Sequence, residues 1–227
     1  MDDALAFWDL VWERLLARDS MVPDMPGWRD EWAPDRRSLV FLFEVGDLAE
    51  VVDVATRVGE ALETVGVRPI APESLHLTIR SVGFVDELVD DPNAVIEQAA
   101  HALEGTRAAS VKIVGAGSFD DTAILQVAPW DSLRAIQQPL LAHVPALSPS
   151  WAEAERRAAE GGFAPHISVA YYEQPIPSSD IARALQPFRR MDGPVFVIDA
   201  ISLVSVPPPV EPFFTWDIIA RFPLRRT

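Results

Sequence analysis

The stretch 74-SLHLTIRSVGF-84 sets a titratable ring inside an apolar strand pattern, and its reading decides the rest of the chain. Successive side chains of a strand take opposite faces. Leu75, Leu77 and Ile79 therefore share one face, while His76, Thr78 and, in a regular strand, Arg80 share the other. A second stretch, 163-FAPHISVAYY-172, repeats the arrangement. His166, Ser168, Ala170 and Tyr172 fall on one face, and Ile167, Val169 and Tyr171 on the other. Two of the four histidines thus carry the pattern histidine, apolar, hydroxyl residue, apolar, a pairing that ordinary composition makes rare.

One chemistry suits two such strands facing each other. Neutral histidine is a base and protonated histidine an acid, both near neutral pH. On opposite sides of a phosphorus centre, one ring removes a proton from the attacking hydroxyl while the other protonates the leaving oxygen. The hydroxyls of Thr78 and Ser168 donate to the non-bridging oxygens, where charge must be stabilised. The scheme calls for no metal and no cofactor.

Working outward, 38-SLVFLFEV-45 reads as a central strand, and 47–66 as a helix with Asp47 as N-cap and Gly66 near its end. After the His76 strand come a helix over 91–105, strands at 109–119 and 122–129 with a turn at Asp120 and Asp121, and a helix over 131–144 interrupted or bent by Pro139. A short helix is expected over 148–162. The His166 strand follows, then a helix near 178–187. Two closing strands, 194-PVFVIDAISLVSV-206 and 213-FFTWDIIARFPL-224, are separated by prolines 207–209. The order strand, helix, motif strand, helix, strand pair is followed by helix, motif strand, helix, strand pair. That is a duplication of architecture with little sequence identity between the halves. Ahead of it, residues 1–35 form an extension: an amphipathic helix over 4–18, then irregular chain anchored by Trp28 and Trp32.

The formal net charge of −15 argues against an extended nucleic-acid footprint, which needs clustered Lys and Arg, while leaving room for a short or cyclic nucleotide in a local pocket. The chain has no cysteine, which removes disulfides, thiolate metal sites and cysteine nucleophiles. No signal-like start or membrane-length apolar run is visible, so a cytoplasmic monomer is expected. His101 and His143 lack metal-type spacing, and 115-GAG-117 lacks the lysine and spacing of a phosphate loop.

HLTI at 76–79 and HISV at 166–169 resemble the paired motifs of the two-histidine (2H) phosphoesterase superfamily, which includes bacterial 2′-5′ RNA ligase-like proteins and cyclic nucleotide phosphodiesterases. The resemblance runs over roughly residues 36–224. It implies a bilobal, duplicated α+β domain over 36–227, with two antiparallel sheets around a central cleft and outer helices. It also implies His76 and His166 as the acid–base pair, with Thr78 and Ser168 as phosphate-binding hydroxyls. Many relatives carry a basic residue soon after the second motif; here Ala170, Tyr171 and Tyr172 stand there. Arg80 and Tyr172 are accordingly the expected substrate contacts. The implied activity is metal-independent hydrolysis of 2′,3′-cyclic phosphates or of short 2′-5′ linked or cyclic oligonucleotides. RNA-end processing or ligation in the same cleft, and nucleotide binding without turnover, are the alternatives.

Overall fold

The computed structural model describes residues 2–21, 36–87, 92–145, 163–208 and 215–226. The expected anchors Trp28 and Trp32 and the expected helix over 148–162 lie outside them. The elements in chain order are α1 (Asp2–Leu16), β1 (Ser20–Met21), β2 (Ser38–Glu44), α2 (Ala49–Glu63), β3 (His76–Phe84), α3 (Pro92–Leu103), β4 (Ala109–Ser118), β5 (Thr122–Ala128), α4 (Trp130–His143), β6 (His166–Tyr171), β7 (Ile176–Pro177), α5 (Ser178–Leu185), β8 (Val195–Ile198), β9 (Ala200–Val206) and β10 (Asp217–Pro223).

Eight strands form one antiparallel sheet in the order β10-β9-β2-β3-β6-β5-β4-β8, and β1 pairs with β7 in a small second sheet. The large sheet is two four-stranded lobes placed edge to edge, with both histidine strands at the seam. Among the described residues, Leu77 and Ile167 are the one pair that β3 and β6 make across that seam, and Pro69 bridges to Ala170 beside it. β2 and β3 of the first lobe correspond to β5 and β6 of the second. This is the duplicated α+β architecture implied by the order of elements in the sequence.

One sequence-level strand is in fact two. The run 194–206 breaks at Asp199 into β8, the outer edge of the second lobe, and β9, which lies inside the first. Strands separated by one residue yet placed near opposite ends of a sheet require the sheet to curl until its ends approach. Phe43 of β2 and Phe196 of β8 then stack at 6.3 Å, and Leu224 N–H reaches Asp199 O at 2.8 Å. Period-2 patterning sees only local alternation, so it ran through the break.

The main core fills the face opposite the histidines. Phe41, Phe43, Leu77, Ile79, Leu125, Ile167 and Leu203 from the sheet meet Val54, Val58 and Leu62 of α2, Leu133, Ile136 and Leu140 of α4, and Ile181 of α5. α2 buries one stripe, Val51, Val54, Ala55, Val58 and Leu62, at the 3–4 spacing of an amphipathic helix. It starts after Leu48 without a side-chain cap, so Asp47 does not cap it, and Gly66 beyond its end takes φ +82°, as helix stops favour.

α1 lies across the second lobe. Ala4, Trp8 and Val11 join Ile124, Ala128 and Trp130 in a cluster on the histidine face, while Trp12 and Leu15 reach the main core. Asp9 pairs with Arg189 and Arg190, and Arg18 with Asp120. No helix among the described residues is long and apolar enough to cross a membrane.

Candidate active site

The Leu77–Ile167 pair fixes the site. Both residues point into the core, so their neighbours in each strand point to the other face. Continuing that antiparallel register by one residue in each direction sets His76 across from Ser168 and Thr78 across from His166. Each histidine thus stands opposite the hydroxyl of the other strand. Apolar banks flank this square on the same face: Leu42, Val204, Val206 and Trp216 on the first lobe, and Ile124, Trp8 and Phe119 on the second. The two histidine strands run in the strip between the banks.

Both rings are held the same way. His76 Nδ1 lies 2.9 Å from Ser74 O, and His166 Nδ1 lies 2.9 Å from Ala164 O. A carbonyl only accepts, so Nδ1 carries the proton in each ring and Nε2 is left free of it in the neutral form. Each ring also meets an aromatic edge to face. Trp216 packs on His76 with centroids 5.1 Å apart, and Phe119 packs on His166 at 5.0 Å. Burial pushes both imidazoles below their ordinary value of 6.5. For His76, the charge of nearby His166 adds to the lowering, and the bond to Ser74 O opposes it.

Arg80 is not on this face. Phe41 pairs with Arg80 but Leu42 pairs with Thr78, so Ile79 is an extra residue in β3. Such a bulge reverses the alternation beyond it. Arg80 turns to the core side, is 4% exposed, and its Nη1 donates to Leu140 O and Val144 O at the end of α4. Gln137 Nε2 donates to Ile79 O at 2.9 Å, tying the bulge to the same helix. The expectation that Arg80 touches substrate assumed a regular strand, and the bulge removes that premise.

Tyr172 fails for the same reason. Ala123 pairs with Ala170 and Ile124 with Ser168, leaving Val169 as the extra residue in β6. Both bulges fall three residues after the histidine, a repeat of the duplication. Val169 O accepts from Ile70 N–H at 2.8 Å, again outside the sheet. Tyr172 is 0% exposed, and its hydroxyl is 2.6 Å from Ser118 Oγ, which in turn reaches Phe119 O at 2.6 Å. Burial pushes this phenol well above its ordinary value, so it stays protonated. Tyr172 therefore braces the turn that carries Phe119 against His166. Tyr172→Phe is expected to lower stability by about 1 kcal/mol, the worth of one hydrogen bond, with KM unchanged. Urea unfolding beside steady-state kinetics checks both, and a raised KM at unchanged stability would restore the substrate role.

Sequence reasoning missed the carbonyls of Ser74 and Ala164, the aromatic pair Phe119 and Trp216, and the residues flanking each histidine on the next strand. Glu44 pairs with His76 and Gln126 with His166. The two carbonyls lie two residues before each histidine, a local signal that was open to reading. Phe119, Trp216, Glu44 and Gln126 arrive from distant chain and carried none. A cavity of about 550 Å³ lined by Glu50, Asp53, Arg57, Phe188 and Met191 includes none of the motif residues. Of its charged lining, Arg57 pairs with Asp53, and Asp192 pairs with Lys112.

A family model for the 2′-5′ RNA ligase superfamily matches residues 40–206, a span that contains both motifs. The chain belongs to the 2′-5′ RNA ligase superfamily. Solved structures agree at the level of fold. TT0787 of Thermus thermophilus is 18% identical with a TM-score of 0.61, over 83% of this chain and 98% of that one. E. coli LigT complexed with ATP is 14% identical with a TM-score of 0.52, over 84% and 99%. A conserved protein of unknown function from Agrobacterium tumefaciens is 10% identical with a TM-score of 0.51, over 92% and 97%. No curated protein matches the sequence. Membership of this superfamily supports an enzyme acting as a phosphodiesterase or in the manner of an RNA ligase.

Proposed function

We propose that this member of the superfamily is a metal-independent phosphodiesterase that opens 2′,3′-cyclic phosphates or cleaves short 2′-5′ linked or cyclic oligonucleotides. The observation that carries the reading is the matched pair of histidines, each with Nδ1 anchored to a carbonyl two residues back and Nε2 left for chemistry. One Nε2 takes a proton from the attacking water as the P–O bond forms. The other, protonated, delivers its proton to the departing ribose oxygen. The hydroxyls of Thr78 and Ser168 donate to the non-bridging oxygens as charge builds on them. LigT structures complexed with ATP, phosphate and NADP+ make small phosphate-bearing ligands a reasonable substrate class for this chain. A net charge of −15 fits small substrates better than long RNA.

The test is hydrolysis of a panel of cyclic phosphodiesters in EDTA by the wild-type protein, with product identified by phosphorus NMR. Turnover that needs added metal, or none on any phosphodiester, would overturn the reading.

The pH dependence follows from the two depressed imidazoles. The reaction needs one ring neutral and one protonated. Both lose their protons below 6.5 in the free protein, so kcat/KM is expected to peak on the acid side of 6.5 and to fall as pH rises past it. A bound phosphodiester anion favours the imidazolium, so kcat should persist to higher pH than kcat/KM. Profiles of both constants over pH 4.5–9 check this, and a kcat/KM maximum above pH 8 would contradict it.

A further inference from the structure

Gln126 is the one flanking residue whose setting is built around its side chain. It stands beside His166 on β5, on the histidine face. It is 3% exposed. On its far side, β4 carries Gly115 and Gly117. A Cβ on Gly117 would meet Gln126 Nε2 at 2.6 Å, and one on Gly115 would meet the backbone carbonyl of Arg189 first and Gln126 Oε1 at 2.7 Å. Neither distance is tolerable for a real Cβ, so the two glycines leave the groove in which the carboxamide lies. This gives 115-GAG-117 a purpose that has nothing to do with a phosphate loop.

The counterpart across the seam differs in kind. Glu44 flanks His76, and its Oε2 accepts from Ser202 Oγ at 3.0 Å. A carboxylate there opposes additional phosphate on the first lobe through charge repulsion. The neutral carboxamide on the second lobe opposes nothing. It offers one donor face and one acceptor face in a fixed plane. A phosphate can use only the donor. The edge of a nucleobase carries adjacent donor and acceptor atoms and uses both, the match that lets Gln and Asn read bases elsewhere.

We infer that Gln126 is a specificity-determining residue, its carboxamide pairing with the donor–acceptor edge of the nucleobase carried by a substrate whose phosphate sits between the histidines. The inference rests on the proposed phosphodiesterase function. It adds which part of the substrate lies on the second lobe and what recognises it.

The experiment measures kcat and KM on the four 2′,3′-cyclic nucleoside monophosphates and on base-free ribose 2′,3′-cyclic phosphate. Wild type is compared with Gln126→Leu, Gln126→Glu and Gly117→Ala. Wild type should separate the best from the worst base by about tenfold or more, and Gln126→Leu should shrink that ratio to within about threefold through KM, as expected for one lost hydrogen-bonding group. The loss should be greater on the nucleotides than on the base-free sugar. Gln126→Glu, which exchanges the donor for an acceptor, should shift preference toward bases presenting donors. Gly117→Ala leaves Gln126 in place and displaces only the far end of a flexible side chain, so it should flatten the ratio without unfolding the protein. Unchanged base ratios in all three variants, or equal losses on nucleotides and base-free sugar, would overturn the role of Gln126 while leaving the phosphodiesterase standing. Absence of histidine-dependent turnover by wild type would remove both.

Discussion

His76→Ala and His166→Ala are each expected to lower kcat by roughly 10²–10⁴-fold, the range for loss of one positioned acid or base. The rings do one proton-transfer job between them, so the double variant should lose far less than the product of the two single losses. His→Asn at either position is the informative companion. Its amide N–H can still donate to Ser74 O or Ala164 O, preserving the local bond that both rings make. Its side chain cannot exchange a proton near neutral pH. An Asn variant that folds like wild type but matches the Ala variant in rate would separate proton transfer from packing. Equal rates in wild type and both Ala variants would sink the assignment.

Arg80→Met is the second large effect, and it bears on stability alone. The guanidinium is buried at 4% exposure, and its Nη1 donates to the carbonyls of Leu140 and Val144, where α4 ends. A positive charge also suits that end of a helix, since carbonyl dipoles there are unpaired along the axis. Methionine fills much of the volume but offers no donor, so the two carbonyls are stranded in the core. Loss of hydrogen bonds to a charged donor, with buried acceptors left unmet, is worth about 2–4 kcal/mol. That is roughly 30- to 1,000-fold in the folding equilibrium. Denaturant unfolding should show the loss as a lower midpoint at unchanged slope. KM should not change for the fraction that remains folded. A rise in KM with full stability would return Arg80 to the substrate.

The two mistaken contacts have one cause. Alternation assigned His76, Thr78, His166 and Ser168 to one face correctly in direction, because each pair lies before its bulge. Arg80 and Tyr172 lie after it. A bulge adds a residue to one strand relative to its partner, so it is a property of pairing and leaves no mark in the periodicity of either strand alone. The split of 194–206 at Asp199 has a similar origin: Val195–Ile198 and Ala200–Val206 are each good strand sequence, and only their partners, β4 and β2, tell them apart. Helices fared better. α2 and α4 were legible from apolar spacing, and α4 runs on through Pro139.

By itself the sequence determined what rests on local pattern: the duplicated α+β order, the two strands with a histidine and a hydroxyl on one face, and the acidic charge that disfavours long nucleic acid. Tertiary structure decided what depends on pairing between distant segments. It joined the lobes through Leu77 and Ile167, turned Arg80 and Tyr172 inward, set Phe119 and Trp216 against the rings, and laid Gln126 over two glycines beside His166. The division follows the range of the forces. Side-chain alternation is settled within a few residues, whereas register, bulges and the groove beside Gln126 exist only once strands remote in the chain have met.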